Sequence, residues 1–218
     1  VYEAALAQAG VLPTDLDYVA VSTCPGLVGS LMVGAGFAKC LALVHGLPIV
    51  QVDHLEAHMY APCLEGAVVE YPFLGLLLSG GNSAIYLVNG PAQMEPLADT
   101  RDDACGEAFD KIASLLGLPY PGGPAVERTA TEWAAGPGAE YAAAGWSDKT
   151  SLFPRLLRNL PGDQLGFSFS GIKTAVGRAV REGREPGRIC FDFQHVVFEL
   201  VSRMTLRAVR KTGIQRMV

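Results

Sequence analysis

Phe73-Leu74-Gly75-Leu76-Leu77-Leu78-Ser79-Gly80-Gly81-Asn82-Ser83-Ala84-Ile85-Tyr86-Leu87-Val88 is the stretch whose reading decides the fold. Two β-type runs, Phe73 to Leu78 and Ala84 to Val88, flank Ser79 to Ser83, which is the pattern of a β-hairpin closed by a glycine-rich turn. Glycines at such a turn let a ligand approach the backbone. Upstream, strand candidates at Asp17 to Thr23 and Ile49 to Val52 are separated by a long small-residue helix, Ser30 to Val44. Downstream the text is mostly helical, so strands and helices mix in both halves. The composition changes near residue 70. The expectation is an α/β protein of two lobes, residues 1–70 and residues 71–218, with a cleft.

Several helix boundaries can be read directly. Asp102 or Asp103 can cap a helix that runs to Leu116 and stops at Gly117, with Phe109, Ile112, Leu115 and Leu116 as its buried stripe. Glu107, Asp110 and Lys111 then fall on its polar side. Pro121-Gly122-Gly123-Pro124 is a turn into a helix beginning near Ala125. Gly136 to Arg155 is rich in Gly, Ala and Pro and reads as irregular. Phe167-Ser168-Phe169-Ser170-Gly171 is extended and leads into a helix, Ile172 to Arg181, followed by a longer one, Arg188 to Thr212. The chain opens inside a helical pattern, Tyr2 to Ala9, and closes at Ile214 to Val218 as if a buried strand were starting. Both ends look cut, so an internal fragment is expected.

With 50% hydrophobic and 18% charged residues, the 218-residue chain has the composition of a globular protein. No uninterrupted apolar run approaches the ~20 residues that span a bilayer, and no membrane association is expected. The five cysteines, Cys24, Cys40, Cys63, Cys105 and Cys190, are scattered without a Cys-x-x-Cys. They read as reduced core thiols of a cytoplasmic protein. The net charge of −5 hides an asymmetry, because Arg155, Arg158, Lys173, Arg178, Arg181, Arg184, Arg188, Arg203, Arg207, Arg210 and Lys211 crowd the last third. Such a region can face nucleic-acid phosphates or can be a set of solvated helix faces.

His54-Leu55-Glu56-Ala57-His58 places two imidazoles four residues apart behind the apolar run Leu47 to Val52. In a helix, positions i and i+4 share one face with Cβ atoms roughly 5–6 Å apart, so both rings can reach one ion. The same spacing also serves two solvated histidines. Two ligands are too few for a catalytic metal. The zinc-protease pattern needs Glu directly after the first His, whereas Glu56 lies about 200° around a helix from that face.

Taken in order, His-x-Glu-x-His, Leu-Leu-Ser-Gly-Gly, Asp-Asp-x-x-Gly-Glu-Ala-Phe-Asp-Lys, Tyr-Pro-Gly-Gly-Pro and Phe-Ser-Phe-Ser-Gly-x-Lys-Thr closely resemble the TsaD family, also called the Kae/Gcp or YgjD group. The resemblance implies an actin-like, sugar-kinase-like (ASKHA) fold of two α/β lobes, truncated at both ends. It implies transfer of threonylcarbamoyl from threonylcarbamoyl-AMP to the exocyclic amine of the adenosine beside the tRNA anticodon. On that pattern His54 and His58 are metal ligands for one divalent ion, iron or zinc, whose third protein ligand is missing here. Leu77, Leu78, Ser79, Gly80 and Gly81 match the loop that touches the adenylate. Asp110 and Gly123 match positions holding its nucleoside part, with Glu127 beside them. No catalytic general base is implied. The implied partners are tRNA, a TsaB-like paralogue and a TsaE-like ATPase.

The sequence also departs from the family. Asn82-Ser83 stands where His-Thr is frequent, Cys24 where Gly precedes Pro25-Gly26, and Ala57 where Gly is common. The N-terminal phosphate loop, the Gly-Gly-Val-x-x-Asn segment and the later Asp of relatives are absent, so the 218 residues alone are expected to be inactive. Two other readings stay open: a non-catalytic scaffold paralogue, and another carbamoyltransferase or a metalloprotease on the same scaffold.

Overall fold

A computed structural model describes all residues except 155–164, so Arg155 and Arg158 lie outside the described residues. The chain divides into two compact units, Val1–Val69 and Glu70–Val218.

In the first unit, α1 (Tyr2–Ala9) ends at Gly10, whose φ of 68° is the left-handed conformation that favours glycine at a helix end. Strand β1 (Val19–Cys24) is followed by α2 (Val28–His45) and then β2 (Ile49–Asp53), which pairs parallel to β1. This is a βαβ unit, and the long helix is the crossover that parallel pairing requires. It is also long and apolar enough to cross a membrane by length and composition. That qualifies the expectation drawn from uninterrupted apolar runs, because valine, leucine, methionine and phenylalanine carry the apolar character between small and scattered polar residues. A buried crossover helix passes the same test, yet only 11% of this one is buried. Behind β2 comes α3 (His54–Met59), and Ala61–Glu65 forms a 3-10 turn with Pro62 in its first positions.

Few side chains are buried in this unit: Ala38, Ala42 and Met59 are the buried apolar ones. Cys24, Cys40 and Cys63 are consequently exposed, contrary to their reading as core residues, while Cys105 and Cys190 in the second unit are buried.

The second unit starts with an antiparallel meander, β3 (Phe73–Leu78), β4 (Ser83–Gly90) and β5 (Gln93–Asp99), in the order β3-β4-β5. β5 escaped the sequence reading because the alternation of Gln93, Met94 and Glu95 is cut short at Pro96. The helices are α4 (Cys105–Leu115), α5 (Gly122–Ala135), α6 (Ala139–Ala143), α7 (Ser170–Arg181) and α8 (Pro186–Thr212). α6 corrects the expectation of an irregular stretch there.

The core of this unit follows helical spacing. Ile189, Phe193, Val196, Val197, Leu200, Met204 and Ala208 line one face of α8, and Val126, Ala130 and Trp133 line α5, which packs on it. Phe167 and Phe169 alternate inward from an extended segment, stacked 6.2 Å apart with no exposed surface. Fully burying one such ring contributes about 1.5–3 kcal/mol. The buried face of α4 is Cys105, Ala108, Ile112 and Ala113, with Phe109 and Leu116 partly covered. Leu115 is 45% exposed and does not belong to the stripe. Gly117, with φ 69°, ends the helix as its position suggested.

Residues 214–218 run beside the free edge of β3. Leu74 N–H donates to Arg216 O (2.9 Å), Val218 N–H to Leu74 O (2.9 Å) and Leu76 N–H to Val218 O (2.8 Å), in a parallel bridge. The segment is extended as expected but not buried, since Met217 is 52% exposed.

Candidate functional site

The hairpin turn is closed by its own polar atoms. Ser79 N–H donates to Asn82 O (2.8 Å) and Asn82 N–H to Ser79 Oγ (3.0 Å), immediately outside the last pair, Leu78 and Ser83. Leu77 is buried, while Leu78 is 40% exposed. Gly80 and Gly81 are exposed. Neither has a positive φ, and a Cβ on either would meet nothing within 4 Å. Backbone geometry and packing within the chain therefore give no reason for glycine at these two positions.

Helix α4 docks on this turn through its first residues. Gly106 N–H donates to Ser79 O (3.1 Å), and Cys105 N–H donates to Ser83 Oγ (2.7 Å), a hydroxyl with no exposed surface. Two N-terminal amides that lack partners within a helix are thus satisfied by the hairpin. A Cβ on Gly106 would lie 2.8 Å from Gly80 Cα and 2.9 Å from Ser79 O, so only glycine allows this approach.

One helical turn further along α4, Asp110 repeats the pattern with α5. Gly122 N–H donates to Asp110 Oδ1 (2.7 Å), and a Cβ on Gly122 would fall 2.5 Å from Asp110 Cα. Gly123, beside it, resembles Gly80 and Gly81: φ is not positive and a Cβ would meet nothing within 4 Å. Glu127 is exposed one turn along α5. Residues 106 and 110 share a face about 6 Å apart along the axis, so α4 carries the glycine turn and the α5 N-terminus side by side. Ser79, Gly80, Gly81, Asp110, Gly123 and Glu127 are thereby gathered on one part of the second unit.

Asp102 and Asp103 do not cap α4, as the sequence suggested. The residue before the helix is Ala104, whose N–H reaches Glu107 Oε2 at 3.4 Å. Asp102 instead accepts from Phe169 N–H (2.7 Å), Ser170 N–H (3.3 Å) and Ser168 Oγ–H (2.6 Å), at the start of α7. Burial alone would raise its pKa, but these hydrogen bonds outweigh it and hold the carboxyl below its ordinary value. Asp103 pairs with Lys111 (2.5 Å) and Lys173 (3.5 Å). The Lys111 hydrogen bond is the main cause of its depressed pKa.

In the first unit, Asp53 caps α3 by accepting from Leu55 N–H (2.8 Å) and Glu56 N–H (3.0 Å). Cys24 Sγ lies 3.5 Å from its other oxygen. The cap fixes the helix that carries both histidines, whose Nε2 atoms face each other at 3.2 Å. Two nitrogens that far apart, each about 2.1 Å from one ion, subtend roughly 100° there, close to a tetrahedral angle. Both rings are exposed. The pair suits two positions of a zinc or iron site. Among the described residues no group of three His, Cys, Asp or Glu could hold a metal ion.

Much of the basic C-terminal third is engaged within the chain. Arg178 and Arg184 pair with Glu182, Arg203 with Glu199, Arg188 with buried Asp192, and Arg216 with Glu70. Apart from the pair with buried Asp192, these exposed pairs contribute about 0–1 kcal/mol each, but all of them reduce the positive field below what the number of basic residues suggests.

A model of the family described as TsaD: tRNA N6-adenosine threonylcarbamoyltransferase matches residues 1–218. The chain belongs to the TsaD family. Curated relatives with that description include one from Leptospira interrogans, 50% identical over 216 residues, and one from Anaeromyxobacter dehalogenans strain 2CP-1, 42% identical over 224. They align with 98% and 100% of this chain, which spans 61% and 62% of their length. Among solved structures, full-length HypF in its phosphate- and nucleotide-bound form matches 99% of this chain and 40% of its own, with a TM-score of 0.66 at 15% identity. That likeness concerns the fold, which is of the α/β, actin-like class.

Two TsaD departures have physical readings. Asn82 contributes to the turn through its backbone, so its side chain is free to vary. Ser83 keeps the hydroxyl that threonine would supply, bonded to Cys105 N–H. The sequence reading missed Ser83, Gly106 and Gly122. For Gly106 the available signal was a glycine inside the expected helix, where it costs about 0.5–1 kcal/mol relative to alanine.

Proposed function

We propose that the intact protein carrying this chain transfers threonylcarbamoyl from threonylcarbamoyl-AMP to the exocyclic amine of the adenosine next to the tRNA anticodon. The observation that carries this reading is the row in which α4 presents the Ser79–Gly81 turn and, one turn along, Asp110 with Gly122 and Gly123. Three glycines that neither conformation nor packing demands lie around it, which is the space a ligand backbone or nucleoside would use. The membership of the TsaD family supplies the substrate class.

In this reading Gly122 N–H fixes Asp110 through Oδ1 and orients its second oxygen to accept from ribose hydroxyls. The Ser79–Gly81 backbone lies against the acyl phosphate, and Glu127 borders the nucleoside. The attacking aromatic amine is a weak nucleophile, so holding the two reactants in line contributes most to the rate. Backbone donors on the turn support the developing oxyanion and the departing phosphate. His54 and His58 would hold an iron or zinc ion. When bound, such an ion supplies charge to orient the threonyl group or polarise the carbonyl. Arg178 and Arg181 belong to a surface for tRNA phosphates, TsaB-like and TsaE-like proteins assist turnover, and the setting is the cytoplasm.

The test is modification of tRNA by the intact protein supplied with the adenylate, read by nucleoside mass. Asp110→Ala is expected to lower the rate by about 100-fold, in line with the loss caused by roughly 1 Å of misplacement. Transfer at the wild-type rate would defeat the assignment. Charge reversal at Arg178 and Arg181 is expected to weaken tRNA affinity, and an unchanged affinity would remove that surface from the proposal.

A further inference from the structure

We infer that Asp102 and Asp103 are positioning residues of this site: together they clasp the β5–α4 loop, α4 and α7 into the arrangement that sets the glycine turn beside Asp110. The inference rests on the proposed adenylate site and extends it to side chains that touch no ligand.

The geometry runs through two adjacent carboxylates that point to different elements. Asp102 takes both leading amides of α7 and the Ser168 hydroxyl. Asp103 joins Lys111, two turns into α4, to Lys173 of α7, and Lys111 is further held by Glu107 at 2.8 Å. The loop before them is pinned from its other side. Thr100 Oγ1–H donates to Asp103 O (2.6 Å), Arg101 N–H to Phe167 O (3.0 Å) and Phe167 N–H to Asp99 O (3.0 Å). Phe167 and Phe169, which carry these backbone groups, have no exposed surface. α7 is therefore a fixed post and the clasp ties α4 to it.

Only Ala104 separates Asp103 from Cys105 and Gly106, the residues whose amides hold Ser83 Oγ and Ser79 O. A shift of the α4 N-terminus is thus transmitted to the turn. The contact has no slack, because Gly106 already meets Gly80 at a distance that excludes a methyl group. Asp110, one turn further along the same helix, is also held to α5 by Gly122 N–H, so α4 is restrained at Asp110 by a contact that the turn does not share. Loosening the clasp should change the spacing between turn and carboxylate while the core remains intact.

The experiment uses the intact protein and titrates AMP calorimetrically, with thermal denaturation alongside. Asp103→Asn and Lys173→Met are expected to weaken AMP at least 10-fold, with Lys173→Arg restoring most of the affinity. Asp192→Ala, which lowers the melting temperature away from the site, is the stability control and is expected to bind AMP as wild type. If wild type binds AMP, Asp110→Ala weakens it and the clasp variants match wild type, the positioning role is overturned and the site stands. The role is also overturned if the clasp variants lose affinity only in proportion to melting temperature, on the line set by the control. If wild type shows no AMP binding, or Asp110→Ala changes nothing, the site assignment fails and the inference with it.

Discussion

Substituting alanine for Gly106 tests whether the hairpin turn and α4 are held at a distance that matters. Its Cβ would stand 2.8 Å from Gly80 Cα, 2.9 Å from Ser79 O and 3.0 Å from Gly80 N, all backbone atoms that cannot swing aside. Carbon–carbon contacts settle at about 3.5–4.0 Å, so the turn must retreat by roughly 0.7–1.2 Å. The 3.1 Å bond from Gly106 N–H to Ser79 O lengthens with it. Overpacking of this kind costs about 1–3 kcal/mol, and alanine returns about 0.5–1 kcal/mol as the better helix former. The expected net loss is about 0–2.5 kcal/mol, centred on about 1 kcal/mol, or a few degrees of melting temperature for a unit of this size. A displacement near 1 Å also predicts roughly 100-fold slower transfer. Gly123→Ala is the counterpart: nothing obstructs its methyl group, so melting should hold while AMP affinity falls. Thermal denaturation and AMP titration of both variants decide the matter. Wild-type melting and wild-type affinity for Gly106→Ala would refute the reasoning.

Further outcomes follow from other groups. Replacing His54 and His58 together by alanine should abolish metal content measured by elemental analysis, along with tRNA modification; full retention of both would remove the metal assignment. Thiol labelling of the native protein at pH 8 should modify Cys24, Cys40 and Cys63 and spare Cys105 and Cys190, whose burial pushes their pKa values up to about 11 and about 12; five labelled thiols before unfolding would contradict this. Asp192→Ala leaves Leu152 N–H (2.8 Å), Tyr141 OH (3.0 Å) and Arg188 facing a gap in the core. That should cost about 3–5 kcal/mol, and a melting change under about 2 °C would rule it out. Asp102 and Asp103 both have depressed folded pKa values, so their stabilisation is present above the unfolded value near 3.8 and fades as pH falls through the lower folded values. The Asp103→Asn variant should therefore lose less stability than wild type between pH 5 and pH 2 in denaturation scans; parallel curves would show that the ion pairs contribute nothing.

The parts of the fold that were legible share a local cause. The hairpin at residue 73 onward, the crossover helix after β1 and the Gly117 stop each follow from side-chain period or from a conformation glycine prefers. Asp110 and Gly123 were legible as motif positions. Their neighbourhood was not, because Gly122 and Gly106 act through backbone approach, which leaves no periodic trace. Asp102 was misread for a related reason. A carboxylate three residues before a helix looks like that helix's own cap, and only the tertiary fold shows it serving α7 instead. The cysteines of the first unit were misplaced because residue type predicts burial only where neighbours exist to cover it.

The pairing of Leu74 with Met217 bears on how the second unit is made. Its first strand is synthesised early but gains its outer neighbour only after α8 has emerged, so the meander must wait on the ribosome with one side unprotected. Strand edges left open in this way invite association with other chains, and pairings between such distant residues form slowly. Nascent chains released before residue 214 should therefore aggregate more readily than longer ones, even though every helix of the unit is already complete.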